Sequence, residues 1–457
     1  MDHIIKDIVP IVPLFANSKY RILLDNSVRN AELNRYSYFS ADPFMIVKSR
    51  NTDIAIERND SIEHVIGNPW EILAQIFSAQ HFGEKDKQTL FPFTGGAMGY
   101  WAYDLSRYVE KTPASTNHDY TYPEMFVGLY DWVLIQDHWK RQITLAITDN
   151  HPSISPDQRY RWVCKNIQQK HIPKSNKSTS LSKVTFNSNF TREAYAESVK
   201  KVKDYLTAGD IYQANISQQF TTQFAGNSWE LYKTLRITSP SPFAAYIDMA
   251  KEFILSASPE LFLSLNGQKI KTRPIKGTRP TSPDSFENNM LAKELSASIK
   301  DKAENIMIVD LMRNDLGRIS EIGSVEVPEI CKLENHFSVW HLVSTIIGNL
   351  KSSYTGLDLL KICFPGGSIT GAPKIRAMEI IAEIEPVKRG VYSGSIGYIG
   401  FNGNIQTNIA IRTISISNET AYFNVGGGIV SDSDPEGEYM ETLHKAKGMI
   451  QALSLHM

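Results

Sequence analysis

Apolar positions recur along this chain in two rhythms, and the change between them organises the reading. Over residues 1–172 the apolar runs are short and either continuous or alternating, as in Arg21-Ile-Leu-Leu, Trp132-Val-Leu-Ile and Ile143-Thr-Leu-Ala-Ile. Runs of that length predict strands, with helices interposed. A polar, serine-rich stretch from Ile172 to Lys183 has no apolar period and predicts a linker, placed at 173–188. In the second region, 189–457, helical spacing returns. Thr191-Arg-Glu-Ala opens a pattern through Tyr195, Val199, Val202 and Leu206 that ends near Gly209. Between Glu287 and Leu316, Leu291, Leu295, Ile299, Ala303, Ile306 and Val309 predict one long helix or two abutting ones. Asp301 and Glu304 share a face of it. Phe337 to Ile347 alternates as a strand, with His341 on the side of Val339 and Val343. Last, Ala421-Tyr-Phe-Asn-Val runs into Gly426-Gly-Gly, and Ser433-Asp-Pro-Glu436 predicts a capping box and a first-turn proline for the final helix.

Composition narrows the class. The 457 residues are 42% hydrophobic and carry 48 basic against 49 acidic side chains, a net charge of −1. That is an ordinary globular balance with no electrostatic case for nucleic acid or an anionic membrane. No apolar run is long enough to span a bilayer. Met1-Asp-His-Ile-Ile-Lys-Asp has charges inside its apolar run, unlike a secretory signal. Cys164, Cys331 and Cys363 form no CxxC pair, so neither a zinc site nor a disulfide framework is indicated and a cytoplasmic setting is expected.

Candidate chemistry gathers around Lys271-Thr-Arg-Pro-Ile-Lys-Gly-Thr-Arg-Pro280. Two prolines and a glycine predict a rigid bend presenting Lys276, either as a solvated surface charge or as an activated amine. His341 reads as a core histidine or a functional one. The face formed by Glu438, Glu441 and Lys445 reads as a solvated ion-paired surface or as part of a site. Gly426, Gly427 and Gly428 offer amides for an anion. Thr94-Gly-Gly-Ala-Met-Gly predicts close backbone packing, and Pro365-Gly-Gly-Ser-Ile-Thr-Gly-Ala lacks the lysine of a nucleotide loop.

Taken together, several blocks resemble component I of the chorismate-aminating synthases, the family of anthranilate and aminodeoxychorismate synthase large subunits. They are Ser258-Pro-Glu260, Pro274-Ile-Lys-Gly-Thr278, Ala303 to Asp315, His341-Leu-Val-Ser, Pro365 to Lys374, and Gly426-Gly-Gly428 with the Glu438/Glu441/Lys445 helix. The resemblance implies an α+β fold of two antiparallel sheets packed as a sandwich, helices outside. It further implies Mg²⁺ held by Glu304 and Glu441, with Asp301 and Glu438 beside it. Chorismate would be bound by Gly277, Thr278, Ser368, Tyr392, Arg412, the amides of Gly426 to Gly428, and Lys445.

Within the family, lysine rather than alanine in the Pro-Ile-x-Gly-Thr turn resembles aminodeoxychorismate synthase. That implies Lys276 as nucleophile at C2, Glu260 as general acid with His341 assisting, and ammonia entering at C4. The alternative is an anthranilate synthase. Gln213 stands where water-adding relatives have a lysine base, and glutamine cannot take up a proton. No glutaminase nucleophile is recognisable in the chain, which implies a separate glutamine amidotransferase partner. A tryptophan pocket is implied at Asn26, Pro242, Phe243 and Ala244, with Asn26 in place of the family's serine.

Overall fold

The computed structural model describes residues 7–28, 33–58, 61–83, 90–110, 112, 121–168, 184–336 and 339–456. Most of the predicted linker, and Phe337-Ser338 of the predicted strand, lie outside them. Among the described residues two large antiparallel sheets form, of eleven and twelve strands. Both draw strands from early and late in the chain. The first pairs Ile22–Asp25 with Phe243–Asp248, and carries Gln213–Gln223 beside Thr420–Ile429. The second pairs Gly96–Trp101 with Ser395–Gly400, and holds Ile275–Pro280 against Val339–Asn349.

The sheets pack face to face through a layer that includes Ile22, Tyr38, Met98, Tyr100, Phe126, Ile254 and Tyr398. Each outer face is covered by helices. Pro69–Ala79, Ile299–Gly317 and Gly356–Cys363 cover the second sheet, while Pro156–Gln168, Ser228–Thr238 and Pro435–Ser454 cover the first. This is the expected α+β sandwich: each sheet has two apolar faces and hides one against the other, one under helices. No helix among the described residues is long and apolar enough to cross a membrane.

Local signals placed the helices well. In Arg192–Ala208 the Thr191 hydroxyl accepts the Ala194 amide, and Gly209 closes the helix at φ 81°. The stretch between Glu287 and Leu316 resolves into two helices, Ser285–Ala297 and Ile299–Gly317. Ser298 divides them: in extended conformation it ends the first, and its hydroxyl caps the second at Asp301 N. The final helix, Pro435–Ser454, is capped by Asp434 rather than by the predicted Ser433/Glu436 box. The Ser433 hydroxyl donates instead to Glu438 at 2.6 Å.

Gly99 shows the predicted close packing. A Cβ there would lie 1.9 Å from the Phe126 carbonyl oxygen on the neighbouring strand. Gly99→Ala is therefore expected to destabilise the fold by about 1–3 kcal/mol, the cost of overpacking a rigid core, read as a lowered urea midpoint; an unchanged midpoint would show that the strands can part there.

Candidate active site

Lys276 sits in a strand, not in the predicted bend. Pro274 separates Lys269–Arg273 from Ile275–Pro280, and both stretches pair with the one long strand Val339–Asn349. The irregularity falls at Gly277, where φ is 75° and the register shifts between Lys276 and Thr278. A β-bulge of this kind re-aims a side chain. It also admits a helix: a Cβ on Gly277 would come within 2.9 Å of the Asp301 Cβ and 3.0 Å of Leu295. The start of Ile299–Gly317 thus packs on the bulge and brings Asp301 and Glu304 to the lysine.

The Lys276 amine is partly buried and donates to the Ser368 carbonyl at 3.0 Å. On its other side is Gly428, where an added Cβ would stand 3.5 Å from Lys276 Nζ and 1.8 Å from Gln213 Nε2. Lys276, Gln213, Ser368 and Gly428 therefore meet at one place. Gln213 is 1% exposed, and its Oε1 has no partner among the described residues. Burial lowers the lysine's pKa, opposed by the nearby Glu304 and Glu260.

Glu260 stands at the same place. It is 4% exposed, accepts the Ile275 amide at 3.4 Å, and has the Ser368 side chain and Lys276 close enough to act on its charge. Burial pushes its carboxyl up. His341 is buried opposite Thr278 in the register, and its Nδ1 lies 3.0 Å from the Thr278 hydroxyl. The His341 of the predicted strand face is therefore tied to the lysine's own strand.

The four acids come from two helices. A Cβ on Gly427 would lie 2.7 Å from Glu438 Oε2 and 3.8 Å from Glu441 Oε1, so these two carboxylates meet over that glycine. Burial raises Glu438 and Glu304, and Glu441 adds to both shifts. Lys445, 2.7 Å away, holds Glu441 below the usual range. The donor set is all carboxylate oxygen and suits a hard divalent cation. Among the described residues no three acidic, histidine or cysteine side chains converge as a ligand group. Glu441 is turned to Lys445, Glu438 to Ser433, and Asp301 to Arg279 at 3.3 Å.

Lys445 Nζ also donates to the Gly426 carbonyl at 2.8 Å. Tyr392 is buried, and burial raises its phenol. Arg412 is partly buried with φ 51°, has no ion-pair partner among the described residues, and burial alone lowers its pKa. Gly426 to Gly428 require a correction. They lie in the extended strand Thr420–Ile429, opposite Ser217, Ile216 and Asn215. Successive amides of a strand point in opposite directions, so they do not converge as a nest, and at most alternate ones face the site.

The implied tryptophan pocket is a separate place. Phe243 and Ala244 line a small cleft between the sheets, with Asp25, Tyr36, Tyr38 and Asn408. Asn26 and Pro242 stand at its margin: Asn26 accepts the Val28 amide at 3.1 Å, and the Pro242 carbonyl accepts from Asn34 at 2.7 Å. Sequence reasoning passed over Arg279, which pairs with Asp301, and the buried pair Glu385 and Arg389 behind Ser368. Pro386 between the latter two breaks any helical spacing that would have flagged them.

The family model described as chorismate binding enzyme matches residues 33–451. Aminodeoxychorismate synthase component 1 of Escherichia coli (strain K12) is 38% identical over 434 residues, 95% of this chain and 93% of that protein. Anthranilate synthase component 1 of Synechocystis sp. is 37% identical over 96% of this chain and 91% of its own length. The crystal structure of anthranilate synthase component I from Streptococcus pneumoniae TIGR4 superposes with a TM-score of 0.79 at 33% identity, covering 91% of this chain and 92% of that one.

Proposed function

The chain belongs to the chorismate-binding enzyme family, and from that premise we propose that it aminates chorismate at C4 with ammonia, giving 4-amino-4-deoxychorismate. Relatives of both kinds are about equally similar, so the choice rests on Lys276. The observation that carries it is the placement of that amine, 3.0 Å from the Ser368 carbonyl, against Gly428 and within reach of the Glu260 charge. Neutral Lys276 forms a C–N bond at C2 while both ring double bonds shift by one position and the C4–O bond breaks. The hydroxyl leaves as water with the proton of Glu260. Ammonia then bonds to C4, both double bonds shift back, and the C2–N bond breaks. Of the two protons in excess on the nitrogens, one leaves with the departing Lys276 and one returns to Glu260.

Arg412, Tyr392 and Lys445 take one carboxylate, the arginine because a planar guanidinium matches a carboxylate with two parallel hydrogen bonds. Glu304 and Glu441, with Asp301 and Glu438 beside them, would hold Mg²⁺, which when bound neutralises and orients the ring carboxylate. Gly277, Thr278 and Ser368 line the ring, and His341 assists by holding Thr278. Gln213, unable to act as a base, favours ammonia over water. The ammonia comes from a separate glutamine amidotransferase, in keeping with the name component 1 among the relatives. Three free cysteines fit a reducing compartment such as the cytoplasm.

The reading requires Glu260 protonated and Lys276 neutral together. The acid limb of kcat/KM then reports Glu260 and the alkaline limb Lys276. Burial raises the first and lowers the second, so both limbs are expected closer together than ordinary glutamate and lysine values. Each unit of approach enlarges the active fraction about tenfold. A profile whose alkaline limb persists in Lys276→Ala would assign that limb elsewhere.

Glu441→Gln removes a charged donor and is expected to weaken Mg²⁺ binding, measured by calorimetry, by about tenfold or more. An unaltered titration would take Glu441 out of the metal set. The proposed reaction keeps the enolpyruvyl ether, so turnover with chorismate, Mg²⁺ and ammonium should release no pyruvate; stoichiometric pyruvate would favour the anthranilate reading.

A further inference from the structure

Glu385 and Arg389, which the steps above leave unused, are 5% and 2% exposed. Arg389 donates to the Glu385 carboxylate from Nε at 2.8 Å and from Nη2 at 2.7 Å. Nη2 also reaches the Asn215 carbonyl at 2.6 Å, while Nη1 reaches the Ile369 carbonyl at 2.8 Å and the Ser393 hydroxyl at 3.4 Å. Every N–H of the guanidinium is thereby used. Glu385 in turn accepts the Ser217 amide at 2.7 Å and its hydroxyl at 2.9 Å. The guanidinium lies 4.7 Å from the centre of the Tyr103 ring and 5.8 Å from that of Tyr392.

A buried pair so fully bonded is rigid, and removing one partner leaves an uncompensated charge. Its attachments matter more than its strength. Asn215 and Ser217 continue the strand that begins at Gln213, and Ile369 follows Ser368, whose carbonyl takes the Lys276 amine. Asn215 N also donates to the Thr370 carbonyl at 2.7 Å. One fork therefore joins the segment carrying Gln213 to the turn carrying Ser368, and leans on Tyr392.

We infer that Glu385 and Arg389 are a positioning pair for the reaction at Lys276, fixing Ser368 and Gln213 on either side of its amine. This rests on Lys276 being the reacting group. The test uses Arg389→Lys and Glu385→Gln in the full chain, with chorismate, Mg²⁺ and ammonium, following loss of chorismate whatever the product. A misplacement of about 1 Å costs up to about a hundredfold in rate. The expected result is kcat lowered by about ten- to a hundredfold with the chorismate KM within about threefold of wild type. The alkaline limb should also move to lower pH, because the Lys276 ammonium loses its carbonyl acceptor.

Variants that keep native near-UV circular dichroism together with wild-type kcat and alkaline limb would overturn the proposal. Should those two variants fail to fold, Ser217→Ala carries the test, since it deletes only the hydroxyl bond to Glu385: a several-fold lower kcat with the same limb displacement supports it, and no change in either sinks it. Lys276→Ala run in parallel separates the two claims. If that variant turns over normally the reading of the lysine is wrong, however the pair behaves.

Discussion

Replacing Lys276 with alanine is expected to lower kcat for chorismate amination by at least about a hundredfold, the scale of losing a positioned catalytic group, while chorismate binds almost as before. The split follows from where the amine lies. It touches the Ser368 carbonyl and Gly428, whereas the charges proposed to hold the substrate lie elsewhere in the chain: Arg412 just before the strand Thr413–Ser417, Lys445 with Glu438 and Glu441 on the last helix, and Asp301 with Glu304 on Ile299–Gly317. Saturating ammonium should not restore the rate, because the missing step precedes addition of ammonia. Binding measured by calorimetry and turnover measured by chorismate loss decide the matter: equal losses in both would make Lys276 a binding residue, and unchanged turnover would exclude covalent catalysis.

The second large effect is expected at Arg412. Arg412→Gln should raise the chorismate dissociation constant by about ten- to a hundredfold, from the roughly 1.5–3 kcal/mol carried by hydrogen bonds to a charged group. Stability should move the other way or not at all. The guanidinium has no ion-pair partner among the described residues, and burial lowers its pKa. A buried cation of this kind costs the free protein stability and is compensated only when an anion arrives. An Arg412→Gln protein with a lowered urea midpoint and unaltered chorismate affinity would show a structural arginine instead. Arg389 makes the contrast, because its charge is answered by Glu385 at 2.7 Å and its loss should lower stability.

How far the sequence revealed this molecule varied with the physics of each element. Caps and periodicity are local, so Arg192–Ala208 was legible to the residue, from Thr191 to Gly209. Ser298 was harder: a single serine both ends one helix and caps the next, and spacing alone allows one helix or two. The Lys276 segment misled for a specific reason. Proline and glycine signal turns, but here Pro274 marks a junction between two strands on one partner and Gly277 a bulge between paired residues. Pairing with Val339–Asn349 is long-range and leaves no local trace.

The site was legible through its motifs more than through its geometry. Blocks that resemble the family pointed to Lys276, Glu260 and Ser368, contrast with water-adding relatives pointed to Gln213, and the fold brings these four together. The glycine run, read as amides gathered for an anion, lies in a strand whose geometry alternates those amides, and Gln213 fills the space over Gly428. Glu385 and Arg389 left no signal, because an ion pair spanning a loop that contains Pro386 has no periodicity and its partners, Asn215, Ser217 and Ile369, come from elsewhere in the chain.

The most direct measurement is the structure of the product formed from chorismate, Mg²⁺ and ¹⁵N-ammonium with this chain alone, determined by mass and nuclear magnetic resonance. The account predicts a non-aromatic ring with its enolpyruvyl ether intact and the labelled nitrogen on C4. Label on an aromatic ring beside the carboxylate, with the ether lost, would contradict it.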